Sequence, residues 1–200
     1  MKILIVGASG TLGQAVATHL GQQHEILAAG RHSGQHQVDL TDDRSVQALF
    51  DATGPLDAVI ATTGQVHFGP LQDMTAAQFD SGLQDKLLGQ VRLALAAQHH
   101  LRAGGSITLT SGIISAQPIR DGSNATAVNA GLEGFVRAAA FELAARGLRI
   151  NIVSPTVLEE SAAAYAPYFP GFEPAPARRV ALAYQRAVEG IQSGQTLTVW

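Results

Sequence analysis

Apolar residues along this chain come in short runs, separated by stretches with helical spacing. The first run, Lys2 to Val6, is almost continuously apolar and closes at Gly7. Residues 11–20 follow, with Leu12, Ala15, Val16 and Leu20 on one helical face. The same alternation recurs to the end. Strands are predicted at 25–29, 37–40, 56–62, 106–110, 148–153 and 196–199. Helices are predicted from Thr41, which stands as a cap ahead of Asp42 and Asp43, and over 75–98, 123–145 and 178–191. Thr75 and Gln78 form a capping-box pair at the start of one of the long helices. Strands this apolar are buried on both faces. The expected fold is therefore α/β, a Rossmann-like doubly wound parallel sheet of about seven strands with helices on both faces, in a single domain.

The first turn carries the first chemistry. Gly7, Gly10 and Gly13 lie between a buried strand and a helix. A first glycine lets the chain reverse. A second lets backbone N–H groups approach a pyrophosphate. A third lets helix and strand pack closely. The helix N-terminus then faces the phosphates with its partial positive charge. A turn built of glycines for structural reasons alone is the competing explanation.

Composition narrows the field. The chain has 200 residues, of which 46% are hydrophobic and 14% charged, enough for a sizeable core and too apolar for disorder. A net charge of −3 with no basic run argues against nucleic acid. The absence of cysteine removes disulfides and thiolate metal sites, and the seven histidines show no metal-like spacing. No apolar stretch reaches the roughly 18 residues a bilayer requires, and no leader-like layout precedes the first strand. The expected protein is cytoplasmic, with a small-molecule substrate, no metal and no membrane partner.

Several further motifs stand in order: Asp39-Leu40 after the third strand, Ala61-Thr62-Thr63-Gly64 after the fourth, and Arg149-Ile150-Asn151-Ile152-Val153-Ser154-Pro155 around the sixth. With the glycine turn, they make the whole chain resemble the short-chain dehydrogenase/reductase family. The G-x-x-G-x-x-G spacing looks more like the family's divergent branches than its main branch, and the chain is shorter than most members. The resemblance implies a nicotinamide dinucleotide held by Gly7, Ser9, Gly10, Thr11, Leu12, Gly13, Thr62, Thr63, Gly64, Thr110, Pro155, Val157 and Leu158. It also implies that Asp39, with Leu40 beside it, contacts the adenine. The carboxylate has a second possible use, as a negative charge at the following helix N-terminus.

The cofactor choice has its own physical argument. A site that prefers NAD carries a carboxylate after the second strand. Here that strand ends in Gly30-Arg31-His32-Ser33, which offers a guanidinium, an imidazole and a hydroxyl. These groups suit a 2′-phosphate, so NADP(H) is expected, with Arg31 as its main partner. Arg31 as a solvated loop charge is the alternative.

The catalytic positions break the resemblance. The family's Tyr and its Lys four residues later fall on Ala125 and Asn129. The family's Ser falls on Gly112, one residue after Ser111, and its helical Asn falls on Lys86. No tyrosine occurs before Tyr165. Lys86 lies three residues after Leu83 and seven after Phe79, on an apolar helix face where an amine is costly unless partnered. Lys86, Ser111 and Asn129 are the catalytic candidates, and Lys86 is also a candidate to touch the cofactor. Each has a plain structural alternative: a lysine reaching water, a turn serine, an asparagine satisfying backbone. Segment 155–176, rich in Pro, Tyr and Phe, is the expected lid, with packing or an oligomer contact as its other reading. Two functions compete. One is an NADPH-dependent reductase of a small carbonyl or unsaturated compound with an altered apparatus. The other is a non-catalytic NADP(H)-binding sensor. A structural subunit without nucleotide is disfavoured by the turn and Arg31. The resemblance implies a homodimer or homotetramer paired through the two long helices.

Overall fold

The computed structural model describes residues 1–200. Seven strands are present: β1 (Lys2–Val6), β2 (Glu25–Gly30), β3 (His36–Gln37), β4 (Leu56–Ala61), β5 (Leu101–Thr110), β6 (Arg149–Pro155) and β7 (Thr196–Val199). All neighbours pair in parallel, in the order β3-β2-β1-β4-β5-β6-β7. The helices are α1 (Thr11–Leu20), α2 (Asp43–Thr53), α3 (Ala76–Gly82), α4 (Gly89–Ala97), α5 (Ser123–Ala144), α6 (Ala162–Tyr165) and α7 (Ala177–Glu189). The chain leaves β1 in one direction along the sheet and returns past it to β4. The crevice at the ends of β1 and β4 is therefore the switch point where such sheets take ligands.

Strand alternation divides the core. Leu4 and Val6 of β1 face one layer with Phe50 of α2, Leu93 of α4 and Leu132 of α5. Ile3 and Ile5 face the other, with Val16 of α1 and Val180 and Tyr184 of α7. This two-sided burial is why the strands read as continuous apolar runs.

Four local expectations are corrected. The third strand is shorter than 37–40, because the Asp39 N–H goes to the Ser45 hydroxyl and leaves the sheet edge. Thr41 is not the helix cap. Its hydroxyl donates to Asp39, and Asp42 caps α2 by accepting from the Arg44 N–H. The strand expected at 106–110 begins earlier, at Leu101, and includes Gly104 and Gly105. Gly104 at φ +79° accompanies an irregular register against β4. The predicted 75–98 helix begins at its capping box but is interrupted by a π-helical segment, Leu83–Leu88. Such wide turns inside α-helices often mark functional positions, and this one contains Lys86.

Candidate active site

The glycines of the first turn are there for different reasons. Gly7 sits at φ +91°, in the left-handed region that favours glycine, and its N–H donates to Ala29 O at 2.8 Å. A Cβ on Gly13 would lie 2.0 Å from Gly7 O, so only glycine lets α1 pack this closely on the turn. A Cβ on Gly10 would meet only Gly7 O, at an ordinary 3.5 Å. Nothing within the chain demands a glycine there, which is what a position kept clear for a ligand looks like. The α1 N-terminus has no side-chain cap and no acid in its first turn, so its N–H groups and partial charge are free for an anion. These features fit a dinucleotide.

Around this turn the other expected cofactor residues fall into two groups. A cavity of about 270 Å³ opens beside β2, lined by Arg31, His32, Leu40, Thr63 and Asp85 among others. Ser33 is not among its lining residues; its hydroxyl donates to the Ser9 hydroxyl at 2.7 Å. Arg31 is exposed on the loop after β2, and one of its nitrogens donates to Asp85 at 2.7 Å and to Asp39 at 3.5 Å. The bond from Asp85 holds the guanidinium pKa above its ordinary value. Asp39 accepts from both the N–H and the hydroxyl of Thr41, and these bonds hold its carboxyl below the usual range. Thr62 donates to Val6 O, and Thr11 is exposed on the outer side of α1. Thr110 borders neither cavity, and its hydroxyl is engaged by Ala61 O and the buried Tyr184 hydroxyl. Burial pushes the Tyr184 pKa up, away from any role as an acid at neutral pH.

A second cavity, about 280 Å³, lies past the C-terminal ends of β4, β5 and β6. Gly64, Leu12, Pro155, Val157 and Leu158 border it, and so do all three catalytic candidates. Its far wall is apolar: Val66, Phe68, Ile113, Ile114, Tyr165 and Phe169. Segment 155–176 supplies Tyr165 and Phe169. Phe68 meets Tyr165 edge-on at 6.2 Å and Tyr168 at 5.0 Å, and Phe172 packs on Phe169.

Lys86 enters from the π-helical segment. The residue is part-buried and borders the cavity, with its stem packed on Gly64. Its Nζ donates to Ser111 O at 3.3 Å, and no carboxylate lies within ion-pair distance. Burial lowers its pKa to about 8. Gly64 makes the approach possible. It holds φ +123°, and a Cβ there would sit 2.6–2.8 Å from the Lys86 Cγ, Cβ and Cα.

Ser111 is buried, and its hydroxyl donates to Glu133 Oε1 at 2.7 Å. Its proton therefore points away from the cavity. Asn129 is buried on α5. Nδ2 donates to Ala125 O at 2.8 Å, while the buried Oδ1 has no protein partner. Ala125 is fully buried and apolar in its surroundings, beside Ile113 and Ile114.

Three contributors escaped the sequence reading. Glu133 accepts from Ser111 and from Ser115. Gln90, fully buried, donates to Thr63 O and Thr110 O and accepts from the Thr110 N–H, tying the ends of β4 and β5 together. Asn124 accepts from the His67 N–H and donates to Phe79 O. Gln90 left a readable signal, a polar residue one turn after Lys86 on a helix face that packs inward. Glu133 and Asn124 left none.

Comparison with known proteins places these features. A family model described as enoyl-(acyl carrier protein) reductase matches residues 10–193. The crystal structure of the protein lin1944 from Listeria innocua is 42% identical, with a TM-score of 0.98 over 100% of both chains. A small-chain dehydrogenase solved in complex with NADPH is 26% identical, with a TM-score of 0.88 over 100% of this chain and 96% of that one. Versicolorin reductase stcU of Emericella nidulans is 30% identical over 183 residues, 78% of this chain and 68% of its own. With the sheet order, the glycine turn and the cleft already in place, the chain belongs to the short-chain dehydrogenase/reductase family.

Proposed function

We propose that this protein is an NADP(H)-dependent oxidoreductase that reduces a small carbonyl or unsaturated compound, with Lys86 as its proton donor. The observation that carries the reading is Lys86, a part-buried lysine that borders the cavity, donates to Ser111 O and has no carboxylate partner. NADPH, when bound, supplies the hydride. Lys86 donates one proton to the substrate oxygen and is left as the neutral amine, the form that burial favours. A pKa of about 8 makes it a far better acid at neutral pH than an ordinary lysine and keeps most of it protonated there. The Ser111 hydroxyl, held by Glu133, presents lone pairs to the cavity, and the free Asn129 oxygen accepts from a hydroxyl of substrate or cofactor. The apolar wall selects a compact, largely apolar substrate.

Arg31, with His32 and Ser33, receives the 2′-phosphate, and the glycine turn with the α1 N-terminus receives the pyrophosphate. The solved relative bound to NADPH supports this choice. Segment 155–176 acts as the lid over the substrate end. The protein works in the cytoplasm as a homodimer or homotetramer. Exposed Phe141 on α5 and half-exposed Leu95 on α4 support pairing through those helices. No helix is long and apolar enough to cross a membrane.

A second reading is favoured by the absence of any tyrosine before Tyr165. The resemblance puts the family's tyrosine and lysine at Ala125 and Asn129, so the cleft also suits a non-catalytic NADP(H) sensor. Fluorescence titration with NADPH, followed by a carbonyl panel monitored by loss of NADPH absorbance, separates the two. Binding with turnover is the outcome for an enzyme. Binding without turnover across the panel favours the sensor, and absence of nucleotide binding defeats both.

A further inference from the structure

Arg31 is held by a residue far from it in sequence. Asp85 stands on the π-helical segment next to Lys86, and its Oδ1 accepts from the Arg31 guanidinium at 2.7 Å. Its other oxygen accepts from the Gln65 N–H at 2.5 Å, which fixes the carboxylate in place. The guanidinium nitrogen engaged by Asp85 is the one that also reaches Asp39. Arg31 therefore faces the cavity already bonded to a carboxylate that cannot swing away without giving up a backbone donor. Asp85 lines that same cavity.

We propose that Asp85 sets the cofactor preference of this protein, by competing with the 2′-phosphate of NADP(H) for Arg31. The inference rests on the reading of Arg31 as the phosphate-binding residue. Two effects act in the same direction. Asp85 and Asp39 take one guanidinium nitrogen out of the fork that a bidentate phosphate contact would use, and the phosphate's negative charge is repelled by the carboxylate beside it. NADH has no 2′-phosphate, so neither effect opposes it, and a fixed carboxylate at this edge accepts from ribose hydroxyls. Asp85 thus restrains NADPH binding and keeps NADH in competition. The sequence places no acid at the end of β2, and the fold brings one there from the helix following β4.

The test is a binding titration of NADPH and NADH to the wild type, Asp85→Asn, Arg31→Ala and the double variant. Asparagine retains an oxygen for the Gln65 N–H, and Asp85→Ser serves as a second, smaller replacement if the first does not fold. The expected result is NADPH bound about tenfold more tightly by Asp85→Asn, with NADH unchanged or weaker. That gain disappears in the Arg31→Ala background, because the two residues act on one another. Weaker NADPH binding, equal tightening of both nucleotides, or a gain that survives without Arg31 overturns the proposal. Failure of the underlying reading has a different signature: Arg31→Ala alone weakens NADPH and NADH by the same factor.

Discussion

The two ends of the cleft are built from different material. At the glycine turn the work is done by backbone: N–H groups at a helix start, a left-handed Gly7, and a Gly13 that admits no side chain. The other end is lined by polar side chains, Lys86, Ser111 bonded to Glu133, and Asn129, to which the proposed chemistry is assigned. Backbone function survives many substitutions as long as the glycines stay. Side-chain function changes with a single replacement. The two halves must therefore be tested separately.

The largest effect is expected from Gly13→Val. Its Cβ alone would lie 2.0 Å from Gly7 O, so α1 must move off the turn. Thermal melts are expected to show a loss of roughly 2–5 kcal/mol, and nucleotide binding should vanish. A stable variant that still binds would mean the close packing is not needed.

Lys86→Met should separate the halves. Turnover is expected to fall by about 10²–10⁴-fold, the usual worth of a positioned acid, while NADPH affinity changes far less. The same variant should be more stable at pH 7 by roughly 1–3 kcal/mol, because a buried charge is replaced by a side chain that packs. A lysine kept for structure would show the reverse: lost stability with turnover intact.

Arg31→Ala is the matching change at the other end. NADPH affinity should drop about 10–100-fold more than NADH affinity, since a charge-assisted phosphate contact is lost from one ligand only. Equal losses would remove the case for a 2′-phosphate contact.

The smallest expected effect is in pH dependence. The acid must be protonated to act, so the reduction rate should be level below pH 8 and decline above it, by about tenfold per unit. Stability should move the other way. Lys86 binds its proton with a pKa of about 8 in the fold against 10.5 ordinarily, so the unfolded chain binds more protons between these values. Stability therefore rises with pH across that window. The Lys86→Met protein should lack this rise, and denaturant titrations at pH 7.5, 9 and 10.5 check it.

Most of the architecture was legible because burial on both faces leaves an unmistakable apolar run in each strand, and glycines mark the turns. The corrections arose where side chains compete with backbone. Asp39 and Ser45 drew β3 off the sheet edge, and Asp42 took the cap from Thr41. The π-helical segment had no signal, because one extra residue in a turn leaves the apolar spacing nearly intact. In the site, Lys86 was visible as an amine on an apolar face and Arg31 as a cation at the end of β2. Their partners were not. Asp85 meets Arg31 across 54 residues, and Glu133 meets Ser111 across 22. Such pairings depend on how helices pack, which a single chain's pattern does not encode.

A part-buried, acidified lysine at the cleft can be tested for without knowing the substrate. The chain contains only two lysines, Lys2 and Lys86. With ¹³C-labelled lysine, NMR should show two side-chain resonances. One is expected to titrate near pH 8, to disappear in Lys86→Met, and to shift when NADPH is added. Both resonances titrating above pH 10, or neither moving at saturating NADPH, would rule out an acidified Lys86 at the cofactor site.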